Sequence, residues 1–164
     1  MCIRDRLSAE RAKRLGALPS GGQALARFAG GPELRSFDLL RAPGPLAAEQ
    51  ALLLLLAWAP RAGQRGDLVL HVELVNTDGE VVAQYAGSPT GPDATPGPWA
   101  PGELVCGAVP LLLPPTLADG TYRLRLALAD PASGVRLAVA AGEDGWAELL
   151  ALEASSRPQL SIWR

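Results

Sequence analysis

The sequence predicts an all-β fold, a two-sheet antiparallel β-sandwich with immunoglobulin-like or jelly-roll-like strand packing and about eight strands. Three observations lead to this prediction. Short apolar runs recur with turn signals at a spacing of roughly 8–12 residues. Between these runs lie 18 Gly and 15 Pro, and no long segment has the 3.6-residue period of an amphipathic helix. Strand and helix patterns do not alternate, which argues against a parallel α/β sheet.

Length, charge and cysteine content exclude several classes of protein. A chain of 164 residues suits one domain with flanking tails. The net charge of −2 provides no basic field for nucleic acid or for an anionic membrane surface. The two cysteines, Cys2 and Cys106, cannot build a disulfide framework and lack zinc-ligand spacing. We therefore expect no metal, no cofactor, no nucleic-acid partner and no direct membrane insertion of this chain.

The chain divides into four parts. Residues 1–6, "MCIRDR", resemble a translated adapter sequence, so we leave them out of the fold and expect a fragment of a longer protein. Residues 7–22 are polar, rich in alanine and closed by Gly-Gly, which predicts a linker with a possible short helix. Residues 23–154 form the predicted β-sandwich, and residues 155–164 form a C-terminal tail.

The clearest strand patterns occur in two hairpins. Residues 68–75 alternate apolar and polar side chains, turn at 76–79, "NTDG", and return over 80–86. Residues 121–130 place Tyr122 and the following leucines on one face and arginines on the other. A turn at 130–134 then predicts a returning strand, "VRLAVA".

Two further runs complete the predicted strands. Residues 104–113 predict a strand that Pro110 interrupts, because proline cannot donate to a hydrogen-bond ladder. Residues 146–154 fit either a short helix or a last strand, and the all-β context favours the strand.

The run "ALLLLLAWA" from Ala51 is too short to span a bilayer, which needs about 20 apolar residues. Flanking Pro and Gly bound it as a strand. Its even-numbered positions from Leu52 to Trp58 are expected to face the core, which leaves Leu53 and Leu55 on the outer face. An exposed leucine pair needs a cover. We expect it from the N-terminal segment, from side chains of a neighbouring strand, or from another part of a parent protein.

The motifs and their order resemble those of a known family. "ARFAGGPELRSFDLL", "HVELVNTDGEVVAQYAG" and "WAPGELVCGAVPLLLPPTLADGTYRLRLALADPASGVRL" follow one another as in the C-terminal β-sandwich of bacterial polytopic membrane glycosyltransferases, of the dolichyl-phosphate-mannose–protein mannosyltransferase type. The resemblance covers residues 26–153. Glu73, Ala129 and Ala57 depart from the family pattern at polar or aromatic positions.

The resemblance implies an extracytoplasmic accessory domain, periplasmic or at the cell surface, attached to a membrane protein. Its expected partner is the membrane part of the same parent protein or an envelope glycan. The transferase chemistry of such enzymes lies in the membrane part, so the resemblance implies a non-catalytic role. A similar sandwich serves as the polysaccharide-recognition domain of O-antigen ABC transporters, which gives a second analogy.

The titratable residues do not predict an active site. His71, the only histidine, lies in mid-strand, whereas a hydrolase needs a histidine next to a nucleophile. Cys106 lies in an apolar strand, where cysteine behaves as a small hydrophobe. The acidic residues fall mostly in turns, where their usual role is to bond the backbone. We therefore predict that the chain is not an enzyme.

The tryptophans are the better indication of a ligand site. Trp58 ends a strand and is predicted to be the central aromatic residue of the core. Trp99 lies in a Pro-rich loop, where it can either cap one end of the sandwich or contact a ligand. If it contacts a glycan, Tyr85 and Asp93 are the expected neighbours at that site.

Overall fold

A computed structural model describes residues 24–61, 67–92, 99, 102, 104–140 and 142–156. The regular structure of these residues is all β, as predicted. The strands are β1 (Ala26–Arg27), β2 (Glu33–Leu40), β3 (Ala51–Ala59), β4 (Val69–Val75), β5 (Val81–Gly87), β6 (Val105–Leu112), β7 (Gly120–Ala129) and β8 (Ala147–Ala154).

The strands form two antiparallel sheets that pack as a β-sandwich. The first sheet has the order β1-β2-β3-β6 and the second has the order β5-β4-β7-β8. One apolar cluster fills the space between them and takes side chains from both sheets. This confirms the predicted fold class, because alternate residues of each strand supply the core.

The leucine run forms β3 in the predicted register. Leu52, Leu54 and Leu56 belong to the core between the sheets, together with Trp58 at the end of the strand. Leu55 belongs to a separate cluster on the outer face of the first sheet. The side chains of the five leucines therefore alternate between the two faces of one central strand.

The two predicted hairpins are present as well. β4 pairs with β5 through the turn at 76–79, where the Asn76 side chain accepts hydrogen bonds from the backbone N–H groups of Asp78 and Glu80. In β7 the core side chains are Tyr122, Leu124, Leu126 and Leu128. The Tyr122 hydroxyl donates a hydrogen bond to the Ala118 carbonyl oxygen at 2.7 Å.

The prediction that Pro110 interrupts its strand is wrong. β6 continues through Pro110, which pairs with Leu53 of β3. β6 is the last strand of the first sheet. An edge strand tolerates proline when the missing N–H is on the side away from the ladder.

The predicted returning strand over "VRLAVA" is also wrong as a regular strand. Residues 135–140 make only isolated bridges, Ala129 with Arg136 and Phe28 with Val139. The segment links the two sheets. Leu137 N donates a hydrogen bond to the Leu128 oxygen of β7 in the second sheet, and Ala140 N donates one to the Arg27 oxygen of β1 in the first. A segment that changes sheets cannot keep one ladder.

One end of the sandwich is closed by the turn after β5. Trp58 Nε1 donates a hydrogen bond to the Pro89 carbonyl oxygen at 3.1 Å. Gly107 of β6 lies directly under this turn, and a Cβ atom there would be 2.6 Å from the Pro89 oxygen and 2.6 Å from Thr90 Cα. The close approach explains a glycine within the strand.

Candidate functional site

Trp99 packs into the core rather than facing the solvent. It is 7% exposed, and its ring centroid lies 6.4 Å from that of Trp58. Trp58 also contacts Phe28, with a centroid distance of 6.1 Å. A ring that is almost fully buried against Trp58 has the placement of the capping alternative stated for Trp99.

The two predicted neighbours of Trp99 do not form a site with it among the described residues. Tyr85 is partly buried and packs against the core, and its hydroxyl donates a hydrogen bond to the Ser88 carbonyl oxygen at 3.0 Å. Asp93 lies outside the described residues. A ligand role for Trp99, Tyr85 and Asp93 therefore stays a prediction.

A different tryptophan lies on the outer surface with charged and polar groups. The partly buried Trp146 precedes β8, and the guanidinium carbon of Arg125 lies 4.3 Å from its ring centroid. The corresponding distance for Arg136 is 5.2 Å. We call the set of outer-face residues His71, Glu73, Arg125, Arg136 and Trp146 the Trp146 cluster.

The strand pairing explains how this cluster assembles. Glu73 of β4 lies directly opposite Arg125 of β7, and His71 lies opposite Ala127 one pair further along the same face. The pairing of Leu126 with Ala147 brings the preceding residue, Trp146, beside Ala127. Side chains from β4, from β7 and from the residue before β8 therefore meet above a floor that contains Ala127, which is fully buried.

Within the Trp146 cluster the two arginines differ in their partners. Arg125 Nη2 and Nε both donate to Glu73 Oε2, at 2.7 and 3.0 Å. Arg136 Nε donates to the Asp144 carbonyl oxygen at 2.8 Å. Among the described residues, no carboxylate lies within ion-pair distance of Arg136.

Other titratable side chains, such as those of Asp130 and His71, do not come together in a catalytic or metal-binding site among the described residues. Asp130 Oδ1 accepts hydrogen bonds from the backbone N–H groups of Ala132 and Ser133 in the hairpin turn. His71 lies between Ala86 and Ala127, which offer neither a nucleophile nor an orienting carboxylate. Within the described ranges, no group of three or more His, Cys, Asp or Glu residues could hold a metal ion.

The outer face of the first sheet has the opposite character. Leu55 and Ala57 of β3 and Cys106 of β6 form an apolar cluster there, separate from the core. Cys106 is disulfide-bonded, so the prediction that it serves only as a small hydrophobe is wrong. We call these three residues, with the adjoining Leu40, Leu53 and Ala108, the Leu55 face. Of the described part of the chain, no helix is long and apolar enough to cross a membrane.

The sequence predicted the candidate ligand site at Trp99 and did not predict the Trp146 cluster. The arginine alternation in β7 showed that Arg125 would point outward. The missing step was the alignment of β7 with β8, which has an irregularity between Leu124 and Arg125. A bulge shifts which side chains meet, and the local sequence does not reveal it.

The fold is similar to that of a solved C-terminal domain. The structure is similar to the crystal structure of the C-terminal domain of wzt, with a TM-score of 0.59 and 13% sequence identity over 81% of this chain and 78% of that chain. At this identity the likeness shows the β-sandwich fold alone. A calcium binding mutant of Bacteroides uniformis beta-glucuronidase 2 aligns with a TM-score of 0.44 and 15% identity, over 65% of this chain and 12% of that chain.

Comparison at the level of sequence gives no family. No family model matches the chain, and no curated protein matches it.

Proposed function

We propose that this chain is a non-catalytic accessory β-sandwich module of a cell-envelope membrane glycosyltransferase. In this role it contributes packing, substrate positioning or protein contact outside the cytoplasm, and its partner is the membrane part of the same parent protein. The order of the sequence motifs and the β-sandwich fold support the proposal. The hydrogen bonds of its turn carboxylates to the backbone support the absence of catalysis.

The observation that carries the proposal is the apolar Leu55 face. The outer face of an antiparallel sheet that meets only water is polar at alternate positions. Here the central outward positions of β3 are Leu53, Leu55 and Ala57, and β6 adds Cys106 and Ala108. A sheet with apolar side chains on both faces is suited to a module that is held between layers rather than to an independent protein.

The parent gene provides the decisive test. We expect many apolar spans of about 20 residues to be encoded upstream of Leu7, since polytopic glycosyltransferases cross the membrane repeatedly. Deleting residues 24–156 from that parent should leave measurable transferase chemistry but weaken the use of its acceptor substrate. An upstream nucleotide-binding domain with a Gly-x4-Gly-Lys-Ser/Thr phosphate loop would contradict the proposal and favour the transporter analogy.

The Trp146 cluster favours a second candidate function, a glycan-binding module. Aromatic rings with a few polar groups are typical of sites for polar ligands. Here the Trp146 indole is beside the Arg136 guanidinium and in the same outer-face row as His71, which can donate hydrogen bonds to sugar hydroxyls. This version places the ligand at Trp146 instead of Trp99, because the Trp99 ring is buried.

Calorimetric titration with purified envelope polysaccharides tests the second candidate. Trp146→Ala should abolish any heat of binding, and Arg136→Ala should weaken the affinity. Arg123→Ala is a matched control on the same sheet face, because Arg123 contacts Glu148 rather than Trp146. Equal binding by the wild type and by Trp146→Ala, or no binding to any polysaccharide, would rule out this function.

A further inference from the structure

β5 is an edge strand of the second sheet, and its sequence lacks the residues that protect exposed edges. It runs over Val81–Gly87, a stretch with neither a charged residue nor a proline. Edge strands that face solvent usually carry such residues, because unpaired backbone groups otherwise accept a further strand. Gln84 and Ala86 are exposed, and Val81 is 43% exposed. The side of β5 away from β4 is therefore accessible to another chain.

The hydrogen bonds of neighbouring strands show which backbone groups of β5 point away from β4. Leu128 of β7 accepts a hydrogen bond from the segment that follows β7, on its side away from β4. Leu70 of β4 lies opposite Leu128 and therefore bonds on its other side, to Gly87 of β5. In an antiparallel ladder this direction alternates along the strand, so Gln84 and Ala86 direct their N–H and C=O groups outward. Among the described residues, no backbone group bonds to them on that side.

The other edges of the two described sheets are poor partners for β5. Ala140 N already donates to the Arg27 oxygen on the outer side of β1. Leu46 N donates to the Glu153 oxygen on the outer side of β8. β6 contains Pro110, which has no N–H to give to a ladder. A contact between edges of two copies of the chain therefore pairs β5 with β5.

We propose that β5 pairs with β5 of a second copy of this chain, in an antiparallel dimer about a two-fold axis. The register follows from the bulge in the pairing of β4 with β5, which leaves Val82 as the extra residue. The regular part of the strand, Ala83–Gly87, is centred on Tyr85. An axis at Tyr85 places Gln84 of one copy opposite Ala86 of the other, and each such pair exchanges both of its N–H···O bonds.

The side chains of β5 are compatible with this self-pairing. A two-fold axis brings each side chain near the same strand of the other copy, so a charged residue on β5 would meet a like charge. β5 carries none, and Gln84 of one copy meets the small Ala86 of the other. The same patch serves on both copies, so the contact closes on itself and stops at two copies.

The dimer joins two four-stranded sheets into one continuous sheet of eight strands. Its order runs β8-β7-β4-β5 in one copy and returns as β5-β4-β7-β8 in the other. The two-fold axis is perpendicular to this sheet, so the outer faces of both copies lie on one side. The two Trp146 clusters share that side, with their β7 strands about 24 Å apart at five strand spacings. The pairing does not depend on the activity of the parent protein, but it offers a polymeric ligand two contacts at once.

Sedimentation equilibrium of the full chain, together with amide hydrogen exchange, tests the pairing. We expect the dimer fraction to rise with protein concentration. Exchange of the Gln84 and Ala86 amides should slow severalfold as the dimer forms. NMR of mixed-label samples should show contacts between Gln84 of one copy and Ala86 of the other.

Proline substitution at the outward positions identifies the edge. Ala86→Pro removes an N–H that the ladder between β4 and β5 does not use. It should abolish the dimer and leave the sandwich folded, which the amide spectrum of β7 checks. Ala86→Val is the matched control, because it suits a strand and keeps the N–H, and it should dimerise like the wild type. Gln84→Pro repeats the test at the second position if Ala86→Pro does not fold.

Three results would overturn the proposal. A chain that stays monomeric up to about 1 mM, with rapid exchange at Gln84 and Ala86, would show that the edge stays open. A monomer with both amides protected would assign the cover to another part of the same chain. A dimer that persists in a folded proline variant would have its interface elsewhere.

Discussion

Trp58 combines apolar packing with a buried hydrogen bond. It is fully buried between Phe28 and Trp99, and its indole N–H bonds to the Pro89 carbonyl oxygen. The side chain thus connects β3 to the turn after β5. Buried indole groups usually find such a partner, because an unsatisfied N–H is costly in an apolar environment.

Trp58→Phe should lower the free energy of unfolding by about 2–4 kcal/mol, because it leaves a cavity and an unpaired Pro89 carbonyl. Urea denaturation followed by circular dichroism measures the change. Trp146→Phe is the control and should cost about 1 kcal/mol or less, since the phenyl ring keeps part of the contact with Arg125. Equal losses in the two variants would contradict the assigned role of Trp58.

The ion pair between Glu73 and Arg125 supports a second prediction at this scale. The side chains are only 17% and 29% exposed, and the contact distance is 2.7 Å. Glu73→Gln should cost about 1 kcal/mol of stability. Glu148→Gln should cost less than about 0.5 kcal/mol, because the Arg123–Glu148 pair is longer and half exposed. Thermal unfolding of the two variants at equal ionic strength compares them directly.

At the residue scale, the sequence predicts what depends on strand alternation. The core position of Trp58 and the outward position of Arg125 follow from the period of two. The inward orientation of Trp99 does not follow, because a loop side chain has no period to fix its direction. Its partner Trp58 is distant in sequence, and only the tertiary fold brings the two rings together.

At the level of single elements, adjacent residues of β6 lie in opposite environments, one in the core and the next in solvent. Leu111 is 2% exposed and belongs to the core, whereas Leu112 is 70% exposed. Leu111→Ala should therefore destabilise the fold by about 2–5 kcal/mol, and Leu112→Ala should change stability by less than about 0.5 kcal/mol. Chemical denaturation of this adjacent pair checks the register, and a reversed order of the two effects would show a shift by one residue.

Gly107 supports a further prediction for β6. An alanine Cβ there would overlap the backbone of Pro89 and Thr90, which cannot withdraw as a flexible side chain can. Gly107→Ala should cost about 1–3 kcal/mol, in contrast to the gain that alanine usually brings to a strand. It should also increase hydrogen exchange in the turn at 88–91. Unchanged exchange there would contradict the close packing of the turn on β6.

The errors in element prediction have a common origin. Pro110 was expected to interrupt its strand and residues 135–140 were expected to form one, and both expectations used local rules alone. The outcome depends on sheet position: β6 is an edge strand, and residues 135–140 leave one sheet for the other. Sheet order is a property of the whole fold, so the local sequence does not specify it.

On the scale of the whole molecule, fold class was predictable and site location was not. Turn signals at regular spacing were sufficient for a sandwich of about eight strands. The Trp146 cluster combines β4, β7 and the segments before β8, and the sequence separation of Glu73 from Trp146 hides their proximity. Only the strand order β5-β4-β7-β8 reveals it.

The bridges at residues 135–140 also affect how copies of the molecule meet. Ala29 N donates to the Ala138 oxygen and Ala140 N to the Arg27 oxygen, so the outer side of β1 is already hydrogen-bonded. Leu46 N likewise donates a hydrogen bond to the Glu153 oxygen on the outer side of the edge strand β8. Unpaired edges are where strands of other molecules add and cross-β growth starts. Along β1 and β8 these backbone groups are therefore hydrogen-bonded within the molecule. The edge strand β6 carries Pro110, which lacks an N–H. Three of the four edge strands in the described sheets, β1, β6 and β8, thus carry a feature that hinders edge-to-edge aggregation.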